Sequence, residues 1–133
     1  MDDCIFCKIV RGEVPSSKVY ETEQAYAFLD IHPASPYHTL VIPKAHYTNI
    51  FDIPESELFE IVRVIKSVTT LYQRKLGIEN LQIVNSSGSE AQQDVFHIHF
   101  HIVPRQEGDG QNIHWQTHPE LPEKFEEMLT ALQ

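Results

Sequence analysis

Three histidines occupy alternate positions: His97, His99 and His101, in the run VFHIHFHIVP over residues 95–104. Successive side chains of a strand point to opposite faces. This spacing therefore puts three imidazoles on one face and Ile98, Phe100 and Ile102 on the other. Neighbouring rings are then about 6.5 to 7 Å apart along the strand. Three readings fit. One is a solvated face of an edge strand, although His is seldom chosen for sheet propensity alone. A second is a metal site. Zn–N bonds are only ~2.1 Å, so one ion is shared only if the strand twists or bulges. The third is catalysis on a phosphoryl or nucleotidyl group. Imidazole is a good nucleophile near neutral pH, and a neighbouring ring can protonate a leaving atom.

A second chemical pattern is Cys4-x-x-Cys7. By spacing it is half of a zinc site, yet alone it also describes two buried thiols. The N-terminal stretch MDDC has no basic region or long apolar run, so it does not read as a signal peptide. No apolar stretch approaches the ~20 residues a membrane span needs. The expected compartment is the cytosol, where both thiols stay reduced.

The chain has 133 residues, 41% hydrophobic and 22% charged, which fits one globular domain and excludes collagen, coiled coil and wholesale disorder. Its net charge is -9. Residues 1–105 hold 13 acidic and 9 basic residues, whereas residues 106–133 hold 6 acidic and 1 basic. The excess is concentrated in the tail, so an anion site in the body stays open. Polynucleotides and anionic membranes are disfavoured as partners.

The elements that must position these residues follow from periodicity. A short helix is expected after Cys4, ended by Gly12. Strands are expected over 18–21, 25–30 and 38–43, the last stopped by Pro43. Leu58, Ile61, Val62, Ile65, Val68, Tyr72 and Leu76 form one apolar stripe, predicting a helix over about 54–76. Asp52 and Glu55 are placed for a capping box, and Gly77 for its stop. Further strands are expected over 81–85 and 95–103. A terminal helix over about 122–132 puts Leu121, Phe125, Met128, Leu129 and Leu132 on one face. Strands are not interleaved with helices, so the fold class is α+β with a mostly antiparallel sheet.

The H-x-H-x-H run resembles the signature of the histidine triad family of nucleotide hydrolases and transferases. The N-terminal stretch CIFCKIVRGEVP, residues 28–33 (FLDIHP) and residues 38–46 (HTLVIPKAH) are similar to the Hint branch and its bacterial relatives. The matches cover most of residues 4–105, in the family's order. The resemblance implies one domain over 1–133, with a core of about 4–105 and an extension of about 106–133. It implies a five-stranded antiparallel sheet, joined in a homodimer into a ten-stranded one. His99 resembles the nucleophile, which attacks the α-phosphorus of a purine nucleotide conjugate, most simply an adenosine one, and forms a nucleotidyl-histidine. His101 resembles the residue that assists the leaving group. Asp30 resembles the acceptor of both ribose hydroxyls, and Asn85 a contact to substrate or leaving group. Backbone N–H groups of residues 92–95, including Gln93, Asp94 and Val95, would contact phosphate. Ile5, Phe6, Ile9, Phe28 and Leu40 would line the base pocket, against the alternative of plain core residues.

The family pattern is not met everywhere. Gln92 stands where relatives carry glycine, and Asp94 where they carry a hydroxyl residue, which leaves the leaving-group preference open. In the related galactose-1-phosphate uridylyltransferase branch, C-x-x-C pairs with a His after a proline and with the first His of the active strand. Cys4, Cys7, His46 and His97 match those positions, implying a closed structural zinc site. The alternative is hydrogen bonding by the two His. Hint-like dimers bring a C-terminal Trp to the partner's site, as Trp115 would here, unless it anchors the tail on its own sheet. The function implied is hydrolysis of a phosphoramidate, acyl-adenylate or dinucleoside polyphosphate, with no metal required for the chemistry. A weakly active nucleotide-binding regulatory module and a zinc-sensing interaction protein are the competing classes.

Overall fold

Apolar residues on both sides of the central strands build a sheet that is buried on two faces at its centre. The structure, a computed structural model, describes residues 3–133; Met1 and Asp2, from the stretch read against a signal peptide, lie outside the described residues. Helix α1 (Ile5–Val10) precedes strands β1 (Lys18–Glu21), β2 (Ala25–Leu29) and β3 (Thr39–Pro43). Helix α2 (Glu55–Leu76), strands β4 (Leu81–Val84) and β5 (Phe100–Pro104), and helix α3 (Phe125–Ala131) follow. The five strands form one sheet in the order β1-β2-β3-β5-β4. Every neighbouring pair is antiparallel, so the fold is α+β with a five-stranded antiparallel sheet.

One face of the sheet carries Ala25, Ala27, Val41, Ile98 and Ile102 against Ile61, Val64, Ile65, Val68 and Tyr72 of α2. Each fully buried Ile or Val contributes about 1.5–3 kcal/mol of transfer free energy. The small Ala25 and Ala27 let the helix approach β2 closely. Tyr72 Oη meets Thr39 Oγ1 at 2.6 Å, and Thr39 donates onward to the Tyr37 carbonyl, so the buried hydroxyls satisfy each other. The opposite face carries Phe28, Leu40 and Ile42 against Phe6 of α1. Among the described residues no helix is long and apolar enough to cross a membrane.

Helix α2 stops as its sequence directs. Gly77 is left-handed (φ 68°), and the N–H groups of Gly77 and Ile78 reach the carbonyls of Gln73 and Tyr72. Its start departs from expectation. Pro54 is the N-cap and makes no side-chain cap. Asp52 does not reach the helix, because its carboxylate accepts from the N–H groups of Thr48 and Asn49 and closes the turn before it. Glu55 and Glu57 in the first turn face the helix dipole instead.

The final strand is also shorter than alternation predicts. Ladder pairing begins at Phe100, and only His101 of the three alternate histidines lies in β5. Upstream, the Ile98 N–H goes to the Tyr47 carbonyl, and the His99 carbonyl accepts from Asn85 Nδ2. Loops take the bonds that a strand partner would have taken. Trp115 is exposed and does not anchor the tail on the sheet. The apolar residues of the tail helix, Leu121, Phe125, Met128, Leu129 and Leu132, are exposed too.

Candidate active site

Cross-strand register assembles the site. Leu40 of β3 stands opposite Phe28 of β2 on one side and His101 of β5 on the other. These three side chains form a row on the face turned away from α2. Helix α1 lays Phe6 beside that row, with its ring centroid 5.7 Å from Phe28 and 5.1 Å from His99. A pocket of about 280 Å³ opens there. Ile5, Phe6, Ile9, Phe28, Asp30, Leu40, Asp94, Val95, His99 and His101 all line it. Asn85 and Gln93 do not. Asn85 holds the His99 carbonyl. Gln93 is buried; its Nε2 donates to the carbonyls of Thr48 and Val95, while its Oε1 accepts from the Gly88 N–H. Gln93 therefore shapes the loop before the site through its amide. A wider groove of about 450 Å³ between α2 and β4 holds no imidazole.

Hydrogen bonds assign the ring protons. His99 is buried, and its Nδ1 lies 2.8 Å from the His97 carbonyl. A carbonyl only accepts, so Nδ1 carries the proton and the neutral ring keeps its lone pair on Nε2. The Ala34 N–H donates to His38 Nδ1 (2.9 Å), which leaves the His38 proton on Nε2. That atom lies 2.9 Å from His101 Nδ1, so His38 donates and His101 carries its own proton on Nε2. Burial pushes both His38 and His101 below the ordinary imidazole range, which keeps these rings neutral. His99 and His101 sit with centroids 5.2 Å apart. A lone pair and a donor thus face one pocket. Sequence reasoning assigns His38 no part in the chemistry. Its signal was parity: it precedes Leu40 by two and shares its face.

Two carboxylates border the pocket. Asp30, just past β2, accepts from the His32 N–H and lies 3.4 Å from His38 Nε2. Asp94 accepts from the Val95 N–H at 2.8 Å, and its Oδ1 lies 3.4 Å from His99 Nε2. Burial raises the Asp94 carboxyl, but the Val95 N–H and the two imidazoles outweigh it, and the net shift is downward. Gln92 is left-handed (φ 71°), a conformation that favours glycine.

Beneath the pocket Cys4, Cys7, His46 and His97 converge, with their donor atoms within 4.8 Å of one another. Cys4 is the N-cap of α1, so the first helical turn brings both sulfurs to one side. His97 Nδ1 lies 3.4 Å from Cys4 Sγ and 3.5 Å from Cys7 Sγ, and His46 Nδ1 lies 3.4 Å from Cys7 Sγ. Tetrahedral zinc would set sulfur and nitrogen about 3.6 Å apart, so the donor set fits. Burial pushes His97 down to about 4, and its Nε2–H donates to the Pro43 carbonyl at 2.8 Å. Nδ1 is left as an unprotonated ligand atom. Burial and the Cys4 sulfur push the Cys7 thiol up, a cost that a cation would reverse. The group Asp30, His38 and His101 also clusters, but its two ring nitrogens at 2.9 Å are hydrogen-bonded and closer than the about 3.4 Å that tetrahedral zinc needs.

The fold and site define a small protein with paired imidazoles beside an apolar pocket. The HIT domain model matches residues 11–108. The chain is 40% identical over 123 residues to a Schizosaccharomyces pombe protein named adenosine 5′-monophosphoramidase, covering 92% of this chain and 90% of that one. The crystal structure of a HIT family protein from Bacillus subtilis matches with a TM-score of 0.88 at 37% identity, covering 98% of this chain and 94% of that one. A zinc-bound histidine triad family protein from Mycobacterium smegmatis matches with a TM-score of 0.77 at 32% identity, covering 99% of each chain. The chain belongs to the HIT domain family.

Proposed function

We propose that this protein is a nucleotide hydrolase that cleaves adenosine 5′-phosphoramidates or related adenosine conjugates through a nucleotidyl-histidine. The observation that carries the reading is the pair of opposed proton assignments: a lone pair on His99 Nε2 and a proton on His101 Nε2, both at one pocket. His99 Nε2 bonds to the α-phosphorus. The bond from phosphorus to the leaving nitrogen breaks, its electron pair stays on nitrogen, and that nitrogen, oriented by a hydrogen bond from His101 Nε2–H, takes its proton from water. The hydroxide so formed adds to phosphorus, the new P–N bond breaks with its electron pair returning to His99 Nε2, and the 5′-monophosphate is released. Splitting one displacement into two lowers each barrier. Asp30 would accept from the ribose hydroxyls, and Phe6, Phe28 and Leu40 would pack the base. The name of the fission yeast relative supports the adenosine conjugate.

Cys4, Cys7, His46 and His97 would hold a structural zinc, which supplies cross-linking of α1 to the histidine segment. The zinc-bound mycobacterial neighbour supports this. A homodimer with a ten-stranded sheet is supported by the edge position of β4, where Ile83 is half exposed, and by the apolar residues of the tail. We place the protein in the cytosol, where Cys4 and Cys7 persist as thiols. The test is hydrolysis of adenosine 5′-phosphoramidate with acid quench. Wild-type protein is expected to carry bound adenylate during turnover. His99→Ala protein is expected to carry none and to turn over at least about 10³-fold more slowly. Unchanged turnover in His99→Ala would sink the reading.

A further inference from the structure

The hydrolase reading leaves the leaving group unassigned, and the pocket carries one feature that bears on it. Asp94 lies at the pocket rim, 3.4 Å from the lone-pair nitrogen of His99, with its side chain 78% exposed. It is not free to drift, because the Val95 N–H holds the same oxygen at 2.8 Å. Val95 and Asp94 both line the pocket beside His99 and His101, so the carboxylate is fixed at the edge of the space the reacting group would enter. Asp30 is the other carboxylate residue lining the pocket, and among the described residues no Lys or Arg lines it. The field at the reacting centre is therefore negative.

We infer that Asp94 sets leaving-group charge, favouring amines that carry a positive charge and disfavouring anionic groups such as polyphosphate or sulfate. The inference rests on the hydrolase reading above. The nucleotide half is common to all such substrates, so its repulsion from Asp94 cancels between them. Only the departing half differs. Phosphorus poised for attack sits about 3 to 3.5 Å from His99 Nε2. The leaving nitrogen lies one bond beyond, within a Debye length of about 8 Å of the carboxylate. A unit charge there is worth roughly tenfold in rate at the dielectric of a protein surface.

The test uses two adenosine 5′-phosphoramidates that differ only in leaving-group charge, one N-(2-aminoethyl) and one N-(2-carboxyethyl). The ratio of their kcat/KM values is read for the wild type, Asp94→Asn and Asp94→Glu. The wild type is expected to prefer the ammonium compound by about tenfold or more, less so as salt is raised. Asp94→Asn is expected to bring the ratio close to one, and Asp94→Glu to retain it. A wild type with equal rates, an Asp94→Asn ratio unchanged from wild type, or a ratio lost equally in Asp94→Glu overturns the inference alone. A wild type that cleaves neither compound overturns the hydrolase reading and the inference with it.

Discussion

His38 Nε2 donates to His101 Nδ1 across 2.9 Å, which joins a residue ahead of β3 to a residue within β5. The bond fixes which nitrogen of His101 carries the proton. Behind it the Ala34 N–H fixes His38. His38 is a positioning residue that acts through His101. Replacing it with Ala is expected to lower kcat for a phosphoramidate by about 10²-fold, in the range of one lost proton donor. The effect should be non-additive: His101→Ala alone and the double variant should be equally slow. Additive losses would show that His38 acts by another route.

Metal content gives a second expectation. Purified protein should hold one zinc per chain by elemental analysis. Cys7→Ser should hold none, and stripping the metal should lower Tm by roughly 5 °C or more, because the site ties α1 to the histidine segment. His99→Ala should keep its metal, since His99 Nδ1 is committed to the His97 carbonyl. Zinc lost on replacing His99 would instead assign the triad to the ion.

Gln92 tests the departure from glycine. Its φ of 71° costs a residue with a Cβ about 1 kcal/mol, partly offset by the chain entropy that glycine loses on folding. Gln92→Gly is expected to raise stability by up to about 0.5 kcal/mol, read from the urea midpoint. A lower midpoint would mean that the Gln92 side chain holds the loop by contacts that outweigh the strain.

Acid stability depends on Arg105. Its guanidinium donates from Nε to Asp109 Oδ2 at 2.8 Å and from Nη2 to Oδ1 at 3.0 Å. This pairing, helped by the N–H groups of Gln111 and Gln106, holds the Asp109 carboxyl well below its usual range. A carboxyl depressed in the folded state stabilises above its unfolded pKa of about 3.9, and the contribution is lost as pH falls below it. Asp109→Asn is therefore expected to flatten the fall of Tm below about pH 4. An unchanged acid slope would mean that solvent screens the pair.

Much of the site was legible before any tertiary contact. Alternation put His99 and His101 opposite Ile98 and Ile102, and that parity holds although the ladder begins only at Phe100. Side-chain alternation needs extended backbone, not a hydrogen-bonded partner. The stripe of α2 and its Gly77 stop were legible for the same reason, since both are local. Asp52 was misread because a carboxylate near a helix start has two sets of nearby N–H groups to choose from. The turn at Thr48 and Asn49 won.

By itself, then, the sequence determined the periodic elements, the C-x-x-C and H-x-H-x-H spacings and the uneven charge, because each depends on residues close together in the chain. Only the tertiary structure decided which atoms do what. The His101 tautomer is set by His38, 63 residues away, and the metal ligands are joined in pairs up to 93 apart, as in Cys4 and His97. Imidazole chemistry depends on which nitrogen holds the proton, and that is a property of the neighbour in space.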